Sequence, residues 1–470
     1  MPELSKLRDA GLEIFQAALR SADADAAMRR AVRLDGPLLN VCETSVNLTT
    51  RQGAVYAIAI GKAAHAMAAA LDDIMGERLT AGLLAGLPFE PARQESISSI
   101  SPAADTSPAA GSFGNRWRVF AGGHPLPNEE SLAAARAAFE LLRRADRQRA
   151  LMLFLISGGG SALLEWPRDE SVTLFELREA NRALIECGAS IAEINAVRRA
   201  ISAVKGGGLA ARAPRADQLS LIISDTNRGD ESTVASGPTS EPPPDAPAAL
   251  DVVSRYQLSA RLPASILRSL NQTNSTTAEP PGASLRQRYV LLSNEDAIAG
   301  AANAARERGF IVEVAGDIVE QEIGDGCKQL VARLLALRAH ARAERSVVCL
   351  LSGGEFACPV RGGGMGGRNS ETVLRIALEI EEGAASESGI AAASHIVALS
   401  AGTDGIDGNS PAAGAICDKT TLSRSRRLSL DARRSLEASD AHSFFAALGD
   451  SITTGATGTN VRDVRVLLAG

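Results

Sequence analysis

The amino-acid sequence predicts an α/β protein of two domains, each a largely parallel sheet flanked by helices. Three observations lead there. The chain is 470 residues long, which at roughly 100–200 residues per domain leaves room for two large cores. Short runs rich in Val, Ile and Leu recur along its length, each followed by a small or polar turn and then a helical pattern. These runs are apolar at every position rather than at alternate ones, as strands are when helices cover both faces of their sheet.

The opening stretch MPELSKLRDAGLEIFQAALR carries early charges and no continuous apolar segment, so it reads as an amphipathic helix rather than a secretory leader. Strands are expected at 55–60 (VYAIAI), 151–156 (LMLFLI) and 219–223 (LSLII), then at 289–292, 346–351, 395–400 and 464–469. Three polar or Pro-rich pieces interrupt them, at 93–114, 240–248 and 271–286, and read as surface loops. The span from 240 to 286 is the natural inter-domain boundary, which divides the chain into 1–255 and 256–470. In parallel sheets, ligands sit outside the carboxyl ends of the strands. Gly61-Lys62, Ser157-Gly158-Gly159-Gly160, Ser224-Asp225, Ser352-Gly353-Gly354-Glu355 and Gly402-Thr403-Asp404 all follow such ends, so the 43 glycines point to ligand contact as well as to turns.

Composition excludes several classes. With 49 basic against 55 acidic residues the net charge is −6, the opposite of the cationic footprint of a nucleic-acid binder. Aromatic residues make up 3% of the chain, too few for base stacking. No run reaches the roughly 18 apolar residues of a membrane span. The six cysteines lack C-x-x-C spacing and lie mostly in apolar runs, so they read as core residues in a reducing compartment, with the cytoplasm as the expected location. Five scattered histidines do not make a zinc site, so a metal here should be held by oxygen.

The chemistry-bearing motifs follow the strand ends. Lys62 sits where a strand turns into an alanine-rich helix, a place where an ammonium and backbone N–H groups can face an anion; a solvated lysine is the alternative. Gly158, Gly159 and Gly160, followed by Ser161, let backbone amides approach a phosphate. In INAVRRAISAVKGGGLA, Ile194, Val197, Ile201 and Val204 form a buried stripe at helical spacing, and Asn195, Arg198, Ser202 and Lys205 a polar stripe beside it. Lys205 and Gly206 lie against an open glycine loop. Asp225 and Asp404 end strands as magnesium-holding carboxylates do, whereas Asp407 is equally well a turn former. Gly362, Gly364 and Gly367 spell G-x-G-x-x-G, but a dinucleotide fingerprint wants an acid about twenty residues later at the end of the next strand, and here the next strand leads to Asp404, 37 residues after Gly367, which argues against a dinucleotide site. Arg368-Asn369 then opens a helix, where the guanidinium can pair with a carboxylate or phosphoryl group.

Taken in order, AIGKAAHAM, GGHPLPNEES, SGGGSALLEWP, INAVRRAISAVKGG, ISD with VASGPT, SGGE with GGRN, SAGTDGIDG and TGATGTNVRDV resemble the glycerate 2-kinase family across residues 55 to 465. The resemblance implies a Rossmann-like N-terminal domain, a MOFRL-type C-terminal domain and a cleft between them. It also implies a kinase that uses ATP, with Mg2+ or Mn2+, to phosphorylate D-glycerate at the 2-hydroxyl, giving 2-phosphoglycerate. ATP and D-glycerate are then the partners, with no nucleic acid and no membrane, and a homodimer is an assembly to consider. Lys62 and Arg368 match the family's catalytic cations, and Asp225 its acidic position near the phosphates. The Gly158–Ser161 loop with Lys205 and Gly206 would hold nucleotide phosphates, Arg198 and Asn369 the substrate, and Asp225 with Asp404 the metal. Arg228-Gly229-Asp230 departs from the family's Gly-Asp-Asp run, and Ser410-Pro411 from its Thr-Asp. The competing readings are an NAD(P)H-dependent hydroxypyruvate reductase and an inactive nucleotide or sugar-acid binder.

Overall fold

The computed structural model describes residues 4–51, 53–88, 113–271, 284–341, 346–384 and 395–470. Most of the loops expected at 93–114 and 271–286 therefore lie outside the described residues. Those described form two compact units: residues 24–88 with 113–291, and residues 4–23 with 292–470. The division at 255/256 is replaced by a discontinuous one. The N-terminal helix Leu4–Ser21 packs on the sheet of the second unit, with Gly11 against Leu468 and Val397. Residues 256–271 and 284–291 stay with the first unit, where Leu258, Leu262, Ile266 and Leu270 share a buried cluster with Leu177, Leu184 and Val197.

The first unit begins with a three-stranded antiparallel meander, β1 (Val32–Asp35), β2 (Leu38–Val41) and β3 (Thr44–Asn47), which no apolar run announces. Its main sheet comprises β4 (Val55–Ile60), β5 (Ala81–Gly86), β6 (Trp117–Ala121), β7 (Leu151–Ser157), β8 (Asp217–Ile223) and β9 (Arg286–Leu292), in the order β6-β5-β4-β7-β8-β9. The pairings from β6 through β8 are all parallel. Tyr56, Ile58, Ile60, Met152, Phe154 and Ile156 join Ala134, Ala138 and Leu142 of helix Glu129–Gln148 in one cluster. The alternate residues Ala57, Ala59, Leu153 and Leu155 are equally buried. Both faces are covered, at roughly 1.5–3 kcal/mol of stabilisation per large apolar side chain, and this is why the strands read as continuous runs.

The second unit holds β10 (Ile311–Val314), β11 (Val348–Gly354), β12 (Ile396–Gly402), β13 (Gly414–Asp418), β14 (Ser451–Ile452) and β15 (Asp463–Ala469), in the order β10-β11-β15-β12-β13-β14. The α/β class holds, but this sheet is mixed. Only β10 and β11 pair in parallel; β15 lies antiparallel between β11 and β12, and β13 and β14 are antiparallel as well. An apolar run reports burial on two faces and is silent on direction, so the expectation of a largely parallel sheet does not carry over. No helix among the described residues is long and apolar enough to cross a membrane.

Candidate functional site

In the first unit the strands from β4 to β8 run in parallel, so the segments that follow them emerge along one edge. β5 and β6 lie on one side of β4, while β7 and β8 lie on the other. The boundary between β4 and β7 is thus the topological switch point, where open α/β sheets leave a crevice. Gly61 leaves β4 at φ +117°, and a Cβ there would lie 2.4 Å from Ser157 O. The two loops are knitted by Lys62 N donating to Gly158 O at 2.9 Å and Ala63 N to Ser157 Oγ at 3.0 Å.

Three side chains converge on the glycines after β7. A Cβ on Gly158 would lie 1.9 Å from Asp225 Oδ2; one on Gly159 would lie 3.1 Å from Lys62 Cγ and 3.4 Å from His124 Cδ2. Glycine is required here by close approach, and at Gly159 also by its φ of +79°. Among the described residues no acceptor takes the Gly159 amide. Lys62 and Asp225 are half-buried. Ser161 Oγ shares a short hydrogen bond with Ser236 Oγ, which donates to the buried Asn195 Oδ1 at 2.9 Å.

His124 is the member that sequence reasoning missed. It follows β6, at the far edge of the sheet, so nothing local places it beside β7. Its loop is turned inward by Gly122, where a Cβ would lie 2.5 Å from Leu163 O, and by Gly123 N donating to Ser131 Oγ at 3.0 Å. Asn128 and Ser131 form the capping box of helix Glu129–Gln148. The Gly-Gly-His-Pro string is the available signal, since paired glycines before a polar residue mark a backbone held against something else.

Lys205 and its neighbours are arranged differently from the expectation. Helix Ile191–Ile201 stops before Ser202, whose extended backbone bridges to Pro167, so Lys205 is not on a helical stripe. The ammonium is 1% exposed and forms a buried ion pair with Glu165, which also accepts from Ser202 Oγ at 2.6 Å. Burial pulls the lysine below its ordinary range against the opposing attraction of Glu165. The charge is matched inside the protein by Glu165. Gly206 N donates to Ser236 O at 3.1 Å, tying this turn to the Ser161 loop. Arg198 Nε donates to Asn181 Oδ1 at 2.8 Å.

In the second unit, β11 and β12 both oppose β15, so their carboxyl ends flank its beginning: Gly354 and Gly402 are each in register with Asp463. Asp463 is 2% exposed and accepts from Arg368 Nε at 2.6 Å, Arg368 Nη2 at 3.3 Å and Asn369 Nδ2 at 2.9 Å. Arg368 Nη2 also pairs with Glu355 at 2.6 Å. Burial lowers the guanidinium's pKa, but Asp463 and Glu355 outweigh it and hold Arg368 above its ordinary range. Asn369, expected at the substrate, is 2% exposed with both ends of its amide engaged, Oδ1 accepting from Ser400 Oγ at 2.6 Å.

The G-x-G-x-x-G loop is closed on its own protein. Met365 N donates to Asp440 Oδ1, Gly366 N to Asn409 Oδ1 and Gly364 N to Ala438 O. Asp407 accepts from the amides of Asn369 and Ser370 at 2.8 and 2.9 Å, so a carboxylate of the chain already occupies the start of helix Arg368–Ala384. Burial pushes that carboxyl up despite the bonds from Ser370. Asp404 is half-buried, with Oδ1 accepting from Ile406 N at 3.0 Å. The described residues hold no cluster of three or more His, Cys, Asp or Glu side chains arranged for a metal. Asp225, as a hard oxygen donor beside a glycine loop, still suits an ion that takes one or two carboxylates and completes its shell with phosphate oxygens.

Comparison with known proteins matches residues 10–271 to the family described as "Domain of unknown function (DUF4147)" and residues 348–463 to the "MOFRL family". A glycerate 2-kinase of Pyrococcus horikoshii is 30% identical over 98% of this chain and 97% of its own. A protein of Agrobacterium vitis provisionally named hydroxypyruvate reductase is 33% identical over 97% of this chain and 93% of its own. The crystal structure of glycerate kinase from Thermotoga maritima superposes with a TM-score of 0.74 at 27% identity, covering 99% of this chain and all of that one.

Proposed function

The chain belongs to the glycerate 2-kinase family, and from that premise we propose that it transfers the γ-phosphoryl group of ATP to the 2-hydroxyl of D-glycerate, giving 2-phosphoglycerate and ADP. The observation that carries the reading is the meeting of Lys62, Asp225 and His124 over Gly158 and Gly159 at the switch point of a parallel sheet. Phosphoryl transfer asks for positioning and for neutralisation of charge on the transferring oxygens more than for covalent chemistry. Lys62 supplies the charge and the Gly159 amide a donor fixed by the backbone. Asp225 orients the attacking hydroxyl or holds magnesium through one carboxylate. Magnesium, when bound, neutralises phosphate oxygens. Arg368 is the second cation of the reaction, its guanidinium aligned by Asp463. The free cysteines of the chain support a reducing, cytoplasmic setting.

Two assays run side by side test this reading. With ATP, magnesium and D-glycerate, the expected product is 2-phosphoglycerate, distinguished from the 3-isomer by 31P NMR. Hydroxypyruvate-dependent NADH oxidation should be absent. Robust hydride transfer without nucleotide turnover, or 3-phosphoglycerate as the sole product, would overturn the proposal.

A further inference from the structure

We propose that Asp463 is a positioning residue for the reaction, fixing the Arg368 guanidinium with its Nη1 edge left open to an anion. The inference rests on the kinase reading for its consequence in turnover, but the geometry stands by itself. An arginine has five N–H donors in a rigid planar fork. Asp463 takes Nε and Nη2 of Arg368, and Glu355 takes Nη2 again. Among the described residues none accepts from Nη1, and the side chain is 35% exposed. The guanidinium is thus fixed along one side and open along the other.

The carboxylate that fixes it is itself over-determined. Asn369 Nδ2 donates to Asp463 Oδ1, and Ser400 Oγ holds the other end of that amide. The Asp463 backbone is pinned as well: Asn294 Nδ2 donates to the carbonyls of Val461 and Asp463 at 2.7 and 3.0 Å, and Asn294 Oδ1 accepts from Gly354 N at 3.1 Å. Two residues on, Arg465 is 1% exposed and donates to Ser352 Oγ and to the carbonyls of Gly353 and Gly354. It secures the end of β11, the strand that leads into Glu355. Ser400, Asn369, Asp463 and Arg368 therefore form one relay of fixed hydrogen bonds that ends on a half-open guanidinium. A carboxylate placed only to balance charge would not need its orientation determined from three strands. Glu355, with a side chain 33% exposed against 2% for Asp463, is the more solvated of the two holds and so the weaker.

A double-mutant cycle on the full-length protein tests the assignment. Asp463→Asn keeps the shape but turns an N–H toward donors, so the fork loses its bidentate partner. With ATP and D-glycerate, Asp463→Asn should lower kcat about 100-fold with KM changed less than threefold. In an Arg368→Ala background it should add nothing. Multiplicative losses in the double variant would overturn the proposal, because Asp463 would then act without Arg368. If Asp463→Asn does not fold, Asn369→Ala takes its place, with a smaller kcat loss that must again vanish in the Arg368→Ala background. A separate readout needs no turnover: modification of Arg368 by phenylglyoxal, followed by peptide mass spectrometry, should be several-fold faster in Asp463→Asn. An unchanged rate would overturn the positioning role even with an active kinase. A faster rate in a protein that leaves glycerate untouched would keep the positioning and sink the kinase reading instead.

Discussion

Two glycine-rich regions of this protein look alike as sequence and behave oppositely as structure. Behind β7, the glycines are crowded by side chains of other loops, Lys62, Asp225 and His124, and the Gly159 amide has no acceptor among the described residues. Before helix Arg368–Ala384, the glycines of the G-x-G-x-x-G string lie against Ala438, Asp440, Asp407 and Gly408, and the amides of this loop are bonded within the protein, Gly364 N to Ala438, Met365 N to Asp440 and Gly366 N to Asn409. A glycine tells only that something comes close. What comes close decides whether the loop receives a ligand or clamps the fold.

The sharpest way to break this comparison is at Lys62. Lys62→Ala should lower kcat by about 10³-fold, the scale of a cation that stabilises transferred phosphoryl oxygens, with an unchanged melting temperature; steady-state kinetics and calorimetry decide it. The opposite signature is expected at Lys205. Lys205→Met leaves Glu165 buried without its partner and should cost about 3–5 kcal/mol of stability, read as a lower urea midpoint. A third pair separates the loops directly. Gly158→Ala drives a methyl into Asp225 and should reduce turnover about 100-fold while the protein stays folded, because the group that must move is a side chain of the site. Gly367→Ala places its Cβ 2.3 Å from Asp407 Oδ1 and 2.4 Å from the Gly408 amide, and should show mainly as a loss of about 1–3 kcal/mol in stability.

The smallest effect concerns pH. Burial pushes the Asp463 carboxyl up, but Arg368 outweighs it and holds the group below the ordinary aspartate range. The stability it contributes is therefore complete above the unfolded value of about 3.9 and is lost as pH falls through the lower folded value. Asp407 has the opposite sign. Its folded carboxyl lies above the ordinary range, so its ionisation costs stability at neutral pH and protonation relieves that cost as pH falls. Melting curves between pH 5 and 3 should flatten in Asp463→Asn and steepen in Asp407→Asn. Parallel curves for both variants would remove the distinction between the two carboxylates.

Much of the fold and part of the site are legible in the sequence. The strands expected at 55–60, 151–156, 219–223 and 464–469 match β4, β7, β8 and β15 closely, because burial on both faces leaves an unbroken apolar run. β5 and β13 escape, since AGLLAG and GAICD are short and rich in small residues. Lys62, the Gly158–Gly160 loop and Asp225 stand out because each directly follows a strand, and parallel strands bring their ends to one edge. The buried partners of Lys205 and Asn369 are not legible in the sequence for a common reason: a polar residue near a glycine loop carries the same local signal whether it faces a ligand or a buried partner.

The sequence by itself determined the α/β class, the strand-end position of the candidate residues and the family. Those are properties of local pattern and residue order. Only the tertiary structure decided that His124 reaches Gly159 from the far edge of the sheet, that Glu165 neutralises Lys205, and that Asp463, at the start of an antiparallel strand, holds Arg368. These depend on which strands become neighbours and in what direction, and the free energy that selects neighbours is distributed over the whole core.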